Sequence, residues 1–176
     1  STDTVTLLDD VTLEKAISAT NSFDLDLNGK TISSAATYTM ALQGTTTIKD
    51  SSADQTGKIE NTASGNSYAL IVSGTNADVT VESGTIEDMQ ASGYGLYVQN
   101  GAHAEVAGGS IQATVAACSV IGHQNRTSLE VSGGTVSGEW YGVAGNGTWD
   151  NTGITISGGL VKGDTGIYHP QEGDLS

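Results

Sequence analysis

Two glutamates, Glu105 and Glu130, stand 25 residues apart at the same offset of a repeated segment. If the repeats stack, the pair sits on adjacent turns about 5 Å apart, a separation that also suits the two carboxylates of a retaining glycosidase. Any two stacked glutamates share it, however. No aromatic wall is predicted beside them, and the only arginine, Arg126, falls in a loop, so a solvated acidic face is the favoured reading. The stretch Asp50 to Gly57 places oxygens at alternate positions through Asp50, Ser52 and Asp54, as a calcium loop does. It lacks a glycine at the sixth position and a glutamate at the twelfth, and reads as a polar insertion. His103, His123 and His169 have no metal-ligand spacing. No catalytic residue, metal or cofactor is therefore expected.

The aromatic residues offer a different chemistry. Trp140, Trp149, Tyr97 and Tyr168 are the candidates for a platform on which a sugar ring stacks. With Leu96 and Val98 facing inward, strand parity exposes Tyr97, and the same parity exposes Ala41, Ile71, Ile121, Ala144 and Tyr168. This apolar stripe is of a kind that soluble monomers avoid. A loop of the same chain, a neighbouring protomer in a homo-oligomer, or a ligand would cover it. A second set, Tyr38, Tyr68, Tyr94 and Tyr141, precedes the inward strand at a regular place and is expected to form a structural ladder.

These side chains are placed by an internal repeat. Four segments align without gaps, in columns Val79/Ala104/Leu129/Ile154, Val81/Val106/Val131/Ile156 and Ile86/Ile111/Val136/Val161. Glycine recurs at Gly84, Gly109, Gly134 and Gly159, where the chain must turn with no room for a side chain. A further strand in each unit carries Leu70/Val72, Leu96/Val98, Val120, Val143 and Ile167 inward, and Tyr38, Tyr68, Tyr94, Cys118, Tyr141 and Thr165 stand before it. Leu27 and Ile32 align with Val81 and Ile86, and Ile48 and Ile59 occupy the same columns. One such unit buries almost nothing alone, whereas stacked units cover each inward side chain from above and below. The expected fold is all-β, a right-handed parallel β-helix (solenoid) of about six coils, as a single domain over 1–176. Residues 1–22, around Val11, Leu13 and Ile17, are expected to cap it; coils fill 23–176 and are expected to continue in a parent protein. An antiparallel sandwich is the alternative, but it does not require column-by-column identity at constant spacing.

Composition fits many short strands joined by tight turns: 24 glycines, one phenylalanine and one proline among 176 residues. A net charge of −14 with six lysines and arginines excludes nucleic acid and anionic membrane surfaces as partners. No run of about 18 apolar residues is present to insert in a membrane as a helix. A single cysteine, Cys118, excludes an internal disulfide. The chain opens Ser1-Thr2-Asp3 and reads as a mature or excised segment.

Three groups of residues, Leu25-Asp26-Leu27-Asn28-Gly29-Lys30-Thr31-Ile32, Ile48-Lys49-Asp50-Ser51-Ser52 with Gly57-Lys58-Ile59, and the repeated Ser/Gly-Gly-Thr-Ile/Val units, carry a resemblance. Over nearly its whole length the chain resembles the β-helical, pectin-lyase-like surface proteins of gut bacteria, and similar modules in phage fibres. That resemblance implies a secreted, adhesin-like setting at the cell surface or on a virion fibre, and carries over no catalytic residue. The expected function is a non-enzymatic structural or adhesion module that meets a host or microbial glycan or a protein surface. Carbohydrate binding through the exposed aromatics, and polysaccharide cleavage by a lyase or glycoside hydrolase, are the alternatives.

Overall fold

Segments with a period of two form strands, and turns at glycine, aspartate, asparagine or serine keep those strands short. The computed structural model describes residues 3–146, 152–170 and 174–176. Among these the chain is all-β, without a helix. Successive strands join three parallel sheets in rotation, here A, B and C, of eight, seven and seven strands. Each A–B–C triplet is one coil of a parallel β-solenoid. Coil one comprises Thr4–Thr6, Val11–Leu13 and Ile17–Ala19, a triplet within the segment expected to cap the stack and paired in register with the next. Coil seven ends at Thr165–Tyr168, and Asp174–Leu175 continues sheet A beyond it.

The core is made of vertical files. In sheet A, Val5, Leu25, Ile48, Val81, Val106, Val131 and Ile156 lie on consecutive rungs. Sheet B stacks Val11, Ile32, Ile59, Ile86, Ile111, Val136 and Val161. Away from the ends these side chains are completely buried. At the strand spacing of about 4.8 Å seven rungs make a rod about 30 Å long, and each buried aliphatic contributes about 1.5–3 kcal/mol.

The A–B corner explains the glycine pairs. Gly134 sits at φ +69°, which glycine adopts without strain, and a Cβ on Gly133 would lie 2.1 Å from the Ala107 carbonyl oxygen one coil below. Coil two turns differently. Asn28 and Gly29, both at positive φ, lengthen its corner, so Leu25 rather than Leu27 occupies the file of Ile48 and Val81. Leu27 fills the corner itself, where a Cβ on Gly57 would come within 2.6 Å of it.

Carboxylates stitch this corner between coils. Asp26 accepts from the backbone N–H groups of Asn28 and Ser51, both at 3.0 Å. Asp50 accepts from Gly29 at 2.8 Å and Ser52 at 3.0 Å, and its second oxygen from Gly57. Burial raises both carboxyls; hydrogen bonds from Ser51 to Asp26 and from Ser52 to Asp50, with the other donors, outweigh it and hold both below the usual carboxylate range. The B–C corner repeats the device: Ser34, Asn61 and Asp88 each accept the backbone N–H two residues on. Burial pushes the Asp88 carboxyl up, and its Oδ2 has no partner.

Sheet C departs from strict alternation. Ser67–Ser73 and Gly93–Gln99 each place two consecutive residues inward, Ala69 with Leu70 and Gly95 with Leu96. These two pairs, and the equivalent Ala117 with Cys118, mark a kink between otherwise regular bridges. The kink demands small residues: a Cβ on Gly95 would lie 2.6 Å from the Ala117 carbonyl oxygen and 2.9 Å from Ile111 of sheet B. One register expectation is corrected in coil five. Ala116, not Cys118, continues the column of Tyr68, Tyr94 and Tyr141, and Ser119 lies level with Tyr97 and Ala144, with Ile121 facing out two positions on. The cause is a short corner: eight positions lead from Ile86 to Tyr94, but five from Ile111 to Ala116. Cys118 joins the inner file of Leu96 and Val143, where burial raises its thiol.

Two outcomes follow from this packing. Val106→Asp leaves a charge in a file with no partner, and urea denaturation will show a loss of about 4 kcal/mol or more. Asp50→Asn will cost about 2 kcal/mol at neutral pH, because it sets an amide against a backbone donor. Lowered folded pKa values mean that Asp26 and Asp50 stabilise fully above the ordinary aspartate value of about 3.9, and that this contribution is lost as pH falls through their folded values. Asp88 has the opposite sign, since protonation relieves its burial penalty. Asp50→Asn therefore flattens the acid limb of a stability–pH curve, read from urea midpoints at pH 7, 4 and 2.5.

Candidate functional site

The kink has a consequence on the outside of sheet C. Because two residues in succession turn inward, Tyr68 and Ile71, three apart, both face out, as do Tyr94 and Tyr97. The tyrosine column and the apolar stripe therefore share one surface. They line a groove of about 250 Å³. Tyr68, Tyr94 and Tyr97 form one wall. Tyr68 and Tyr94 stack with centroids 5.3 Å apart at 26°, and Tyr97 meets Tyr68 edge-on at 4.7 Å. Tyr141 and Tyr168 form the other, with centroids 5.1 Å apart. The floor is coil five, where Ala116, Ser119 and Ile121 face the groove.

No charged side chain lines this groove. Burial raises the phenol of Tyr94, with Tyr68 and then Tyr141 adding to the effect, and pushes that of Tyr97 up to about 12. The hydroxyl of Tyr68 receives a hydrogen bond from Asn66 Nδ2 at 2.8 Å. Those of Tyr94, Tyr97, Tyr141 and Tyr168 make none to any described residue. The groove therefore presents ring faces and neutral hydroxyls, which suit stacking and hydrogen bonding rather than proton transfer or nucleophilic attack.

Of the residues singled out from sequence, the groove brings together Tyr97, Ile121 and Tyr168. Ile71 lies one rung from Tyr97, outside the lining. Trp140 is 53% exposed at the corner before Tyr141, and is not part of the groove. Trp149 falls outside the described residues.

Glu105 and Glu130 are adjacent rungs of sheet A, as their spacing predicts, away from the groove. Each is tied to the next coil: Ser132 Oγ donates to Glu105 at 2.5 Å, and Ser157 Oγ to Glu130 at 3.4 Å. Sequence reasoning missed another file on that face, Asp78, His103 and Ser128, in which His103 Nδ1 and Ser128 Oγ are 2.9 Å apart. Three residues spaced by 25 were the signal. Asp78 is exposed and makes no ion pair with the imidazole, so the file lacks the group that orients a catalytic histidine. In the loop read for calcium, both Asp50 oxygens are occupied by backbone donors and Asp54 points to solvent. Among the described residues no cluster of histidine, cysteine, aspartate or glutamate has the geometry to hold a metal.

The fold and the groove define a parallel β-solenoid with an uncharged aromatic site on one outer sheet. No family model, curated protein or solved structure matches the chain.

The Tyr97 phenol provides a check on this geometry. A raised folded value means that its contribution to stability is whole below the ordinary tyrosine value of about 10 and declines as pH rises towards 12. Phenolate absorbance during alkaline titration will show a late step near pH 12 that Tyr97→Phe removes.

Proposed function

We propose that the chain is a non-enzymatic adhesion module of an extracellular or cell-surface protein, and that the tyrosine groove on sheet C is its contact surface. The observation that carries this reading is the convergence of five tyrosines on one concave, uncharged patch of an otherwise acidic rod. Tyrosine supplies a large amphipathic contact area at small conformational cost, which is why it dominates recognition surfaces. Stacked coils hold the ring positions in register, so little ordering is left for the moment of binding. The resemblance to pectin-lyase-like β-helical surface proteins of gut bacteria and to phage-fibre modules supports a surface or virion-fibre setting, with host or microbial glycans as partners. Glu105 and Glu130 each accept a hydrogen bond from a serine of the next coil, which weighs against polysaccharide cleavage there.

Biolayer interferometry on mucin-coated and capsular-polysaccharide-coated tips tests the reading. The purified chain is expected to bind saturably, and Tyr97→Ala combined with Tyr168→Ala to weaken binding at least tenfold, about 1.4 kcal/mol, while far-UV circular dichroism shows the β-fold retained. Equal binding by the double variant overturns the assignment. So does a solution mass of two chains that Tyr97→Ala converts to one, since the groove would then be a homo-oligomer interface.

A further inference from the structure

Asp88, at the B–C corner of coil four, is completely buried. One of its oxygens accepts from the Gln90 N–H at 3.2 Å, and Oδ2 has no partner. An ionised carboxylate with a bare oxygen is among the costliest groups to bury. The corner of coil three shows what this position requires. Asn61 stands next in the register after Glu60, which pairs with Glu87, and its Oδ1 accepts from Ala63 just as Asp88 accepts from Gln90. Its Nδ2 donates to coil two, to the Ala36 carbonyl at 2.9 Å and to Thr39 Oγ1 at 3.1 Å. One side chain there both accepts and donates. Asp88 can do both only as the neutral acid, which carries an O–H, because the carboxylate only accepts. Coil three offers the equivalent carbonyl, that of Ala63, which Ser67 Oγ approaches at 3.5 Å.

We propose that Asp88 is an acid-operated latch on the groove: with a proton on Oδ2 it ties the corner of coil four to coil three, and loss of that proton to solvent releases the tie and loosens the wall made by Tyr94 and Tyr97. The coupling is direct. Asp88 packs against the backbone that opens the strand Gly93–Gln99, so closely that a Cβ on Gly93 would collide with its Oδ1 and its carbonyl oxygen. Tyr94 and Tyr97 stand on that strand. No neighbouring charge competes for control. The inward residues around Asp88 are Asn61 and Ala113 in sheet B, and Ser67, Ala69, Gly93 and Gly95 in sheet C, none of which titrates. Lys58, Glu60 and Glu87 pair with one another on the outer face of sheet B, and Tyr68 and Tyr94 face the groove. Burial raises the Asp88 carboxyl, and the Ser67 hydroxyl and the Gln90 N–H only partly oppose it. A raised folded value means that the latch contributes in full below the ordinary aspartate value of about 3.9, and that the contribution is lost as pH rises through the folded value. The latch belongs to the corner and stands whether or not the groove takes a glycan.

Carbon-13 NMR of the intact chain, labelled at its aspartate carboxyl carbons and titrated from pH 3 to pH 8, tests the latch. One resonance, absent from Asp88→Asn, is expected to titrate above the ordinary aspartate value of about 3.9. The tyrosine band of the near-UV circular dichroism spectrum is expected to change over the same pH range, and to stay constant in Asp88→Asn. In that variant the amide stands in permanently for the neutral acid. Its folding constant from urea denaturation is expected to lie within about threefold of the parent's at pH 3.5 and to exceed it at least tenfold at pH 8. Asp26 and Asp50 are common to both chains and cancel. Asp88→Ser, which copies Ser34 of coil two, is the second variant if the amide fails to fold, and is expected to lose the same resonance and the same change in the tyrosine band. An Asp88 resonance that titrates at or below the ordinary value overturns the proposal. So does a ratio of folding constants that does not change with pH, or a tyrosine band that ignores the titration of Asp88.

Discussion

Every other feature of this molecule depends on equivalent side chains resting on one another along the rod axis. A single coil has three short strands and almost no interior. Its aliphatics are shielded by the Val, Ile or Leu at the same place on the coils before and after, as Val106 is by Val81 and Val131. The requirement is strict about register and lenient about length. Corners lengthen at Asn28-Gly29 and shorten before Ala116 without disturbing the files, because the strands on either side still pair rung to rung. Polar residues at the corners, Asp26 and Asp50 on one side and Ser34, Asn61 and Asp88 on another, satisfy the backbone donors that a tight bend exposes.

The same rule makes the exterior a copy of the interior's geometry. Outward residues are spaced by the strand separation whether or not they interact, so a surface file of tyrosines stacks because the core beneath it stacks. Sheet C adds one departure. A file of small residues, Ala69, Gly95 and Ala117, turns two consecutive positions inward and thereby aims two outward columns at one patch. Concavity and aromatic density in the groove both trace to that kink, where a Cβ on Gly95 would meet Ala117 of the next coil and Ile111 of sheet B.

Much of this architecture is legible in the residues alone. Constant spacing of Val79, Ala104, Leu129 and Ile154 requires stacked coils, and those four residues are successive Cα partners in sheet A. The misplacements of Leu27 and Cys118 share one cause: corner length does not show in an apolar pattern, and an error of two residues preserves strand parity. The site was half legible. Parity identified Tyr97 and Tyr168 as outward, but a strict period of two assigned Tyr68, Tyr94 and Tyr141 to a separate ladder. The signal that joins them is the run Ala69-Leu70, Gly95-Leu96 and Ala117-Cys118, a small residue before each inward aliphatic, which reads as a bend only once the sheets are assembled. Trp140 attracted attention through its size, yet a corner position leaves it beside the groove rather than in it.

An outward face carried on stacked coils can change without touching what holds the rod together. The files that stabilise the rod lie on the inner side of the sheets, so exchanging an outward residue leaves them in place. Each exchange alters the surface in whole strand spacings along the axis. Related solenoids can therefore diverge in their outer faces through single substitutions, in steps of fixed size.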